Sequence, residues 1–322
     1  MSARVLVTGA TGFVGRAIVA RLVADDVPVC AAVRRDAVEI TGARTVQVAD
    51  LCATTDWRAA LNGCSAVVHC AARVHVMHDD TSDPLAEYRR VNVEGTLALA
   101  RQAAAAGVRR FVFISSIKVN GEATTPGAPF RASDQPHPVD PYGVSKLEAE
   151  RALQVFAESS ALELTIIRPP LVYGPGVKAN FLSMAKWIAR GIPLPLGAID
   201  SNRRSFVALA NLVDLVVHCL RRDEAAGQVL LVSDGEDLST TELLRRTAEA
   251  LGASPVLIPI PESILAFGAR LLRREDLWQR LGGTLQVDAT ATRDRLGWRP
   301  AVSVDEGLRA AVAPLKRAGA AP

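Results

Sequence analysis

Aromatic side chains are scarce, at 5% of 322 residues, which leaves few platforms on which nucleic-acid bases could stack. Neither sign of charge dominates: 37 Lys and Arg stand against 34 Asp and Glu, and no basic run exceeds a few residues. A nucleic-acid partner is therefore not expected. The five cysteines, Cys30, Cys52, Cys64, Cys70 and Cys219, are odd in number and form no C-x-x-C pair. That pattern argues against a disulfide framework or a cysteine zinc site, and fits reduced thiols in a cytoplasmic protein. No uninterrupted apolar run is long enough to span a bilayer, so no membrane partner is expected. No signal peptide is expected either, because the first strand already begins at Arg4.

What is present is a chain 49% hydrophobic and 22% charged, the balance of a globular protein with a substantial core. Up to about residue 170, short apolar runs at 5–8, 29–33, 45–48, 66–70, 111–115 and 164–168 alternate with helical stretches such as 16–24, 91–106 and 141–158. Alternation of this kind predicts an α/β fold, a parallel sheet covered by helices on both faces. Asp140-Pro141 is a helix start, with a capping side chain followed by proline in the first turn. After Arg168-Pro-Pro170 the regularity breaks, which predicts a first domain over 1–170 and a smaller lobe over 171–322. A strand near 228–233 is expected to return to the main sheet.

Three local patterns carry chemistry. TGATGFVG at 8–15 sets Gly9, Gly12 and Gly15 between a strand and a helix. Glycines there let the backbone turn tightly and approach a pyrophosphate, with N–H groups and the helix dipole facing the anion. Second, Tyr142 and Lys146 are four residues apart, which on a helix brings their Cβ atoms to about 5–6 Å. An ammonium beside a phenol favours the phenolate. Lowering the phenol by about three units requires about 4 kcal/mol. Third, the apolar run Phe111-Val-Phe-Ile ends in Ser115 and Ser116, at the sheet edge where a ligand would sit. A serine there can hydrogen-bond a substrate oxygen while the tyrosine moves its proton.

Taken in this order, the patterns resemble an extended short-chain dehydrogenase/reductase of the NAD-dependent epimerase/dehydratase family, in its nucleotide-sugar 4-epimerase and 4-ketoreductase branch. The resemblance runs nearly end to end, through Asp50-Leu51, Val68-His-Cys-Ala-Ala72, Asn92-Val-Glu-Gly-Thr96, Arg168-Pro-Pro-Leu-Val-Tyr-Gly-Pro-Gly176, Arg204-Ser-Phe-Val207 and Leu296-Gly-Trp-Arg-Pro300. It implies a Rossmann-type doubly wound sheet with a substrate-binding C-terminal lobe. It also implies that Ser116 and Tyr142 handle a proton at the sugar C4 oxygen, and that Lys146 serves the cofactor ribose and the tyrosine. Gly9, Thr11, Gly12, Phe13, Val14, Gly15, Asp50, Leu51, Ala71, Ala72, Ser115 and Pro169 are expected along the cofactor. Arg73, His75 and Val76 are expected on the sugar side, and Asn180, Arg204 and Arg280 toward the diphosphate. His75 and His78 form an H-x-x-H pair without an evident third ligand, so no metal is expected.

Departures from the family pattern narrow the chemistry. Ile117-Lys118 follows Ser116 where the 4,6-dehydratases carry Asp-Glu, which argues against sugar dehydration; Lys118 is expected to face solvent or another loop. Arg34-Arg35 ends the second strand where NAD-preferring relatives carry a carboxylate, which tilts the cofactor toward NADP(H) over NAD(H). Leu171 replaces an asparagine and Asn120 a tyrosine, both marks of a group that includes 4-keto-sugar reductases. The expected function is reduction of a UDP-4-keto sugar with NAD(P)H. The alternative is an NAD-dependent UDP-sugar 4-epimerase of the UDP-glucose or UDP-N-acetylglucosamine type, and the remote rival a dinucleotide sensor without catalysis. Helices 91–106 and 141–158 are expected to pair in a homodimer.

Overall fold

A computed structural model describes residues 4–34, 39–74, 83–177 and 179–319. The chain alternates as expected: β1 (Arg4–Thr8), α1 (Phe13–Ala24), β2 (Val29–Val33), β3 (Arg44–Gln47), α2 (Arg58–Leu61), β4 (Cys64–His69), α3 (Pro84–Arg89), α4 (Thr96–Ala105), β5 (Arg110–Ile114), α5 (Pro141–Glu158) and β6 (Glu163–Arg168). Later elements are β7 (Leu171–Tyr173), α6 (Ala179–Ala189), β8 (Arg204–Ala208), α7 (Leu209–Arg221), β9 (Gln228–Leu231), β10 (Asp237–Leu238) and α8 (Thr240–Leu251). Helices α9 (Glu262–Leu271), α10 (Glu275–Gly282), α11 (Thr290–Leu296) and α12 (Val304–Gly319) follow.

Seven parallel strands form the main sheet in the order β3-β2-β1-β4-β5-β6-β9, so the strand expected to return does so beside β6. Alternate residues of each strand serve opposite faces. Val5, Val7, Val68, Val112 and Ile167 join α1 and α7 in one core, whereas Leu6, Val67, Phe111, Phe113 and Ile166 join α4 and α5 in another. Burial on both faces is why these strands read as continuous apolar runs. Helix α7 comes from beyond residue 170, yet Leu212, Val216 and Cys219 pack in the core beneath β1. Leu296 and Trp298 fill the same core, and Trp298 Nε1 donates to Asp214 on α7 at 2.9 Å.

Several strands start earlier than their apolar runs and end before Cys70 and Ser115. Charged residues open them: Arg110 pairs with Glu163 at 2.9 Å across β5 and β6, so ladder hydrogen bonds extend where hydrophobicity does not. The expected 91–106 helix begins instead at Pro84, and residues Arg90–Gly95 form a wide π turn before α4. Helix α5 spans the expected residues, with Asp140 Oδ1 accepting from Gly143 N at 2.7 Å. A second sheet, β10-β8-β7, packs Tyr173 and Phe206 against α12.

Candidate active site

The glycine loop joins β1 to α1. Gly12 is the N-cap, provides no side-chain cap, and the first turn of α1 carries no acidic residue. Its leading N–H groups therefore stand ready for an anion. A Cβ on Gly9 would lie 2.9 Å from Ala71 N, and one on Gly15 would lie 2.2 Å from Gly9 O. The loop is thus a bare-backbone cradle pressed against the chain leaving β4, and this donor set fits a dinucleotide pyrophosphate.

His69, at the end of β4, holds that contact in place. Its Nδ1 pairs with Thr8 Oγ1 at 2.6 Å, its Nε2 with Thr96 Oγ1 at 2.9 Å, and Thr8 Oγ1 also accepts from Ala71 N at 3.2 Å. Burial, and secondarily the Lys146 charge, push the His69 imidazole down to about 3, so it is neutral. Asn92, in the π turn, accepts from Arg73 N at 2.8 Å and donates to Arg73 O at 3.0 Å and to Ser145 Oγ at 2.9 Å. The insertion of a π turn, common at functional sites, brings this side chain between the loop after β4 and α5.

Ser116, Tyr142 and Lys146 converge where β5 ends and α5 begins. Tyr142 is half-buried, with its hydroxyl beside the Ser116 side chain. Lys146, 2% exposed, donates to Ile114 O at 2.7 Å and sits 4.0 Å above the Phe113 ring. Burial pushes its ammonium down to about 7, opposed by Glu150. The expectation that the lysine depresses the tyrosine is not met. The Tyr142 hydroxyl is held well above the ordinary phenol range by burial and then by the Asp140 carboxylate, and Ser116 only partly offsets them. The lysine's hydrogen bond goes to the strand, so helical spacing alone did not decide the electrostatics.

Behind the site runs a buried polar network. Ser115 donates to Glu150, which pairs with Arg168 Nη2 at 2.5 Å; Arg168 Nη1 donates to Asn120 at 2.9 Å, and Asn120 to Arg131 O at 2.9 Å. Glu150 and Asn92 escaped the sequence reading as site residues, although Asn92 lay inside a quoted motif. Lys118 does not face solvent: half-buried, it pairs with Glu122 at 2.9 Å and with Asp140.

Among the other expected residues, Thr11 is exposed, Phe13 and Val14 open α1, and Ala71 and Ala72 are half-buried beside the cradle. Leu51 is a core residue, and exposed Asp50 faces exposed Arg34 at 3.6 Å. Pro169 O accepts from Ile117 N at 3.0 Å, backing the Ser116 turn. Arg73 lies 5.6 Å from the Tyr88 ring, which meets Tyr142 edge-on at 6.2 Å. Arg204, on β8, donates to Gly283 O at 2.9 Å, and burial alone lowers its pKa. Arg280 is on α10, and Asn180 in the first turn of α6. Arg35, His75, Val76 and His78 lie outside the described residues.

Residues 5–232 match the model of the NAD dependent epimerase/dehydratase family. The chain is 47% identical over 309 residues to a UDP-glucose 4-epimerase of Vibrio cholerae, covering 96% of this chain and 94% of that one. It is 30% identical to a GDP-6-deoxy-D-mannose reductase of Pseudomonas aeruginosa, with 96% of each chain covered. The solved structure of MoeE5 with UDP-glucuronic acid and NAD superposes with a TM-score of 0.78 at 27% identity, covering 98% of this chain and all of that one (100%). A cradle, a Ser-Tyr-Lys set beside it and matches of this extent lead to one assignment: the chain belongs to the NAD dependent epimerase/dehydratase family.

Proposed function

We propose that the protein is a nucleotide-sugar 4-epimerase that uses NAD(H) or NADP(H) and takes a UDP-hexose of the UDP-glucose type. The observation that carries this reading is the convergence of Ser116, Tyr142 and Lys146 beside the glycine cradle, in a chain 47% identical to a UDP-glucose 4-epimerase. The 30% similarity to a reductase is weaker support for the 4-ketoreductase expected above. Two of the three residues that pointed to reduction also have other employment. Asn120 ties Arg168 to the Arg131 carbonyl in the buried network, and Arg34 faces Asp50.

When bound, the dinucleotide supplies an acceptor and donor of hydride. The chain's own residues manage the proton. Ser116 lies beside the Tyr142 hydroxyl, and Tyr142 takes the proton of the sugar 4-hydroxyl and returns it. Lys146 is buried and Tyr142 half-buried, which limits the access of water to that exchange. Arg204 and Asn180, with Arg280, would hold the diphosphate; a guanidinium is suited to two phosphate oxygens at once. Arg73, beside Tyr88, would line the sugar. Helices α4 and α5 are the proposed homodimer face. No described helix is long and apolar enough to cross a membrane, and a cytoplasmic location is part of the proposal.

Incubating the purified protein with UDP-glucose and separating the products tests the reading. A UDP-galactose peak, with near-stoichiometric NAD(H) released on denaturation, is the expected result. An empty protein that oxidises NADPH with a UDP-4-keto sugar, and leaves UDP-glucose untouched, would establish the reductase instead.

A further inference from the structure

Lys118 is the departure from the family pattern that the reaction itself leaves unused. It lies in a short 3-10 turn, Ile117–Val119, whose N-cap is Ser116; Ser116 Oγ accepts from Lys118 N at 3.2 Å. Its ammonium reaches Asp140, the N-cap of α5, and Glu122 at 2.9 Å. Asp140 in turn accepts from Gly143 N at 2.7 Å, one residue past Tyr142. The two backbones touch as well: a Cβ on Gly143 would lie 2.9 Å from Lys118 O.

We propose that Lys118 is a positioning residue for the Tyr142 hydroxyl, fastening the turn that carries Ser116 to the helix start that carries Tyr142 and cancelling the Asp140 charge beside it. The proposal rests on Tyr142 being the proton carrier. The groups around that hydroxyl are few. Asp140 comes from the start of α5, with Lys118 paired to it, Ser116 from the turn after β5, and Tyr88 from α3 with Arg73 over its ring. Asp140 is the carboxylate among them, and it opposes the phenolate. Lys118, held charged between two carboxylates, pairs with it directly.

The chain contains three tyrosines, so the ultraviolet absorbance of the Tyr142 phenolate can be isolated by difference against Tyr142→Phe. Titrated on the cofactor-loaded full-length protein, Lys118→Met is expected to raise the Tyr142 midpoint by about one pH unit, a tenfold fall in phenolate at fixed pH. Lys118→Arg should restore the wild-type midpoint. Asp140→Asn keeps a capping side chain and removes the charge, so it should lower the midpoint. An unmoved midpoint in Lys118→Met, or an upward shift in Asp140→Asn, would overturn the proposal. Should Lys118→Met not fold, the direction of the Asp140→Asn shift decides. Retained turnover in Tyr142→Phe would instead remove the proton-carrier reading, while the titration still reports on the clamp.

Discussion

The two sides of the candidate site are built on different terms. At the ends of β1, β4 and β5, polar side chains satisfy one another: Thr8 with His69, Asn92 with Ser145, Glu150 with Arg168. In the small sheet, Arg204 is held by backbone carbonyls, with no carboxylate ion-paired to it among the described residues. Helix α9 buries none of its residues, and Phe267 and Leu271 are 70% and 73% exposed. The first side is complete before any ligand arrives; the second keeps a cation with only neutral partners. On the proposed function, catalytic geometry is stored at the sheet edge, and the substrate's anion would complete the site at Arg204.

The sharpest way to break this contrast is at Tyr142. Tyr142→Phe should lower turnover by about 10²–10⁴-fold while the bound-nucleotide content, measured after denaturation, stays unchanged. Equal losses of nucleotide and turnover would mean the tyrosine holds the cofactor rather than the proton. Next in size is Glu150→Ala. It strands Arg168 in the interior and should cost about 3–5 kcal/mol in denaturant unfolding, because a buried charge loses its partner. Arg246→Ala breaks a surface cluster with Glu236 and Glu242 and should cost no more than about 1 kcal/mol by the same measurement.

On the substrate side, Arg204→Met should raise KM about 10–100-fold with kcat little changed, the mark of binding lost equally from ground and transition states. A fall in kcat at constant KM would place Arg204 with the catalytic set instead. A further expected effect concerns pH. His69 is neutral when folded, with its pKa pushed down to about 3, so the unfolded chain binds more protons between that value and the ordinary histidine value of about 6.5. Its contribution to stability is present above about 6.5 and is lost as pH falls toward 3, by up to about 1.4 kcal/mol per unit. His69→Gln should flatten that part of the stability profile, read from unfolding curves at stepped pH.

The sequence was legible where the causes are local. Asp140-Pro141 caps α5 within a few residues, so its start could be read directly. The glycine loop and the Ser116-Tyr142-Lys146 set declare themselves because backbone approach and helical spacing constrain residue type. The pairing of β7 with β8 was not legible, since Val172 and Val207 meet only through the tertiary fold. Nor was the polar network: His69 sits in an apolar run and Glu150 among charged helix residues, and sequence gives no sign of which polar side chains will meet. The raised Tyr142 pKa follows from burial and Asp140, which helical spacing does not report.

Trp298 has a consequence for how the protein is made. Its indole is 2% exposed, packs with residues of β1, α1 and α7, and bonds Asp214, which also receives Arg21 of α1 at 3.2 Å. A nascent chain that stops short of this residue therefore carries a glycine loop on a helix whose supporting core is open to water. Domains generally fold as units during synthesis, N-terminal ones first. Here β1 and α1 wait for a residue far along the chain, and products truncated before it expose the apolar surface that chaperones and proteases recognise.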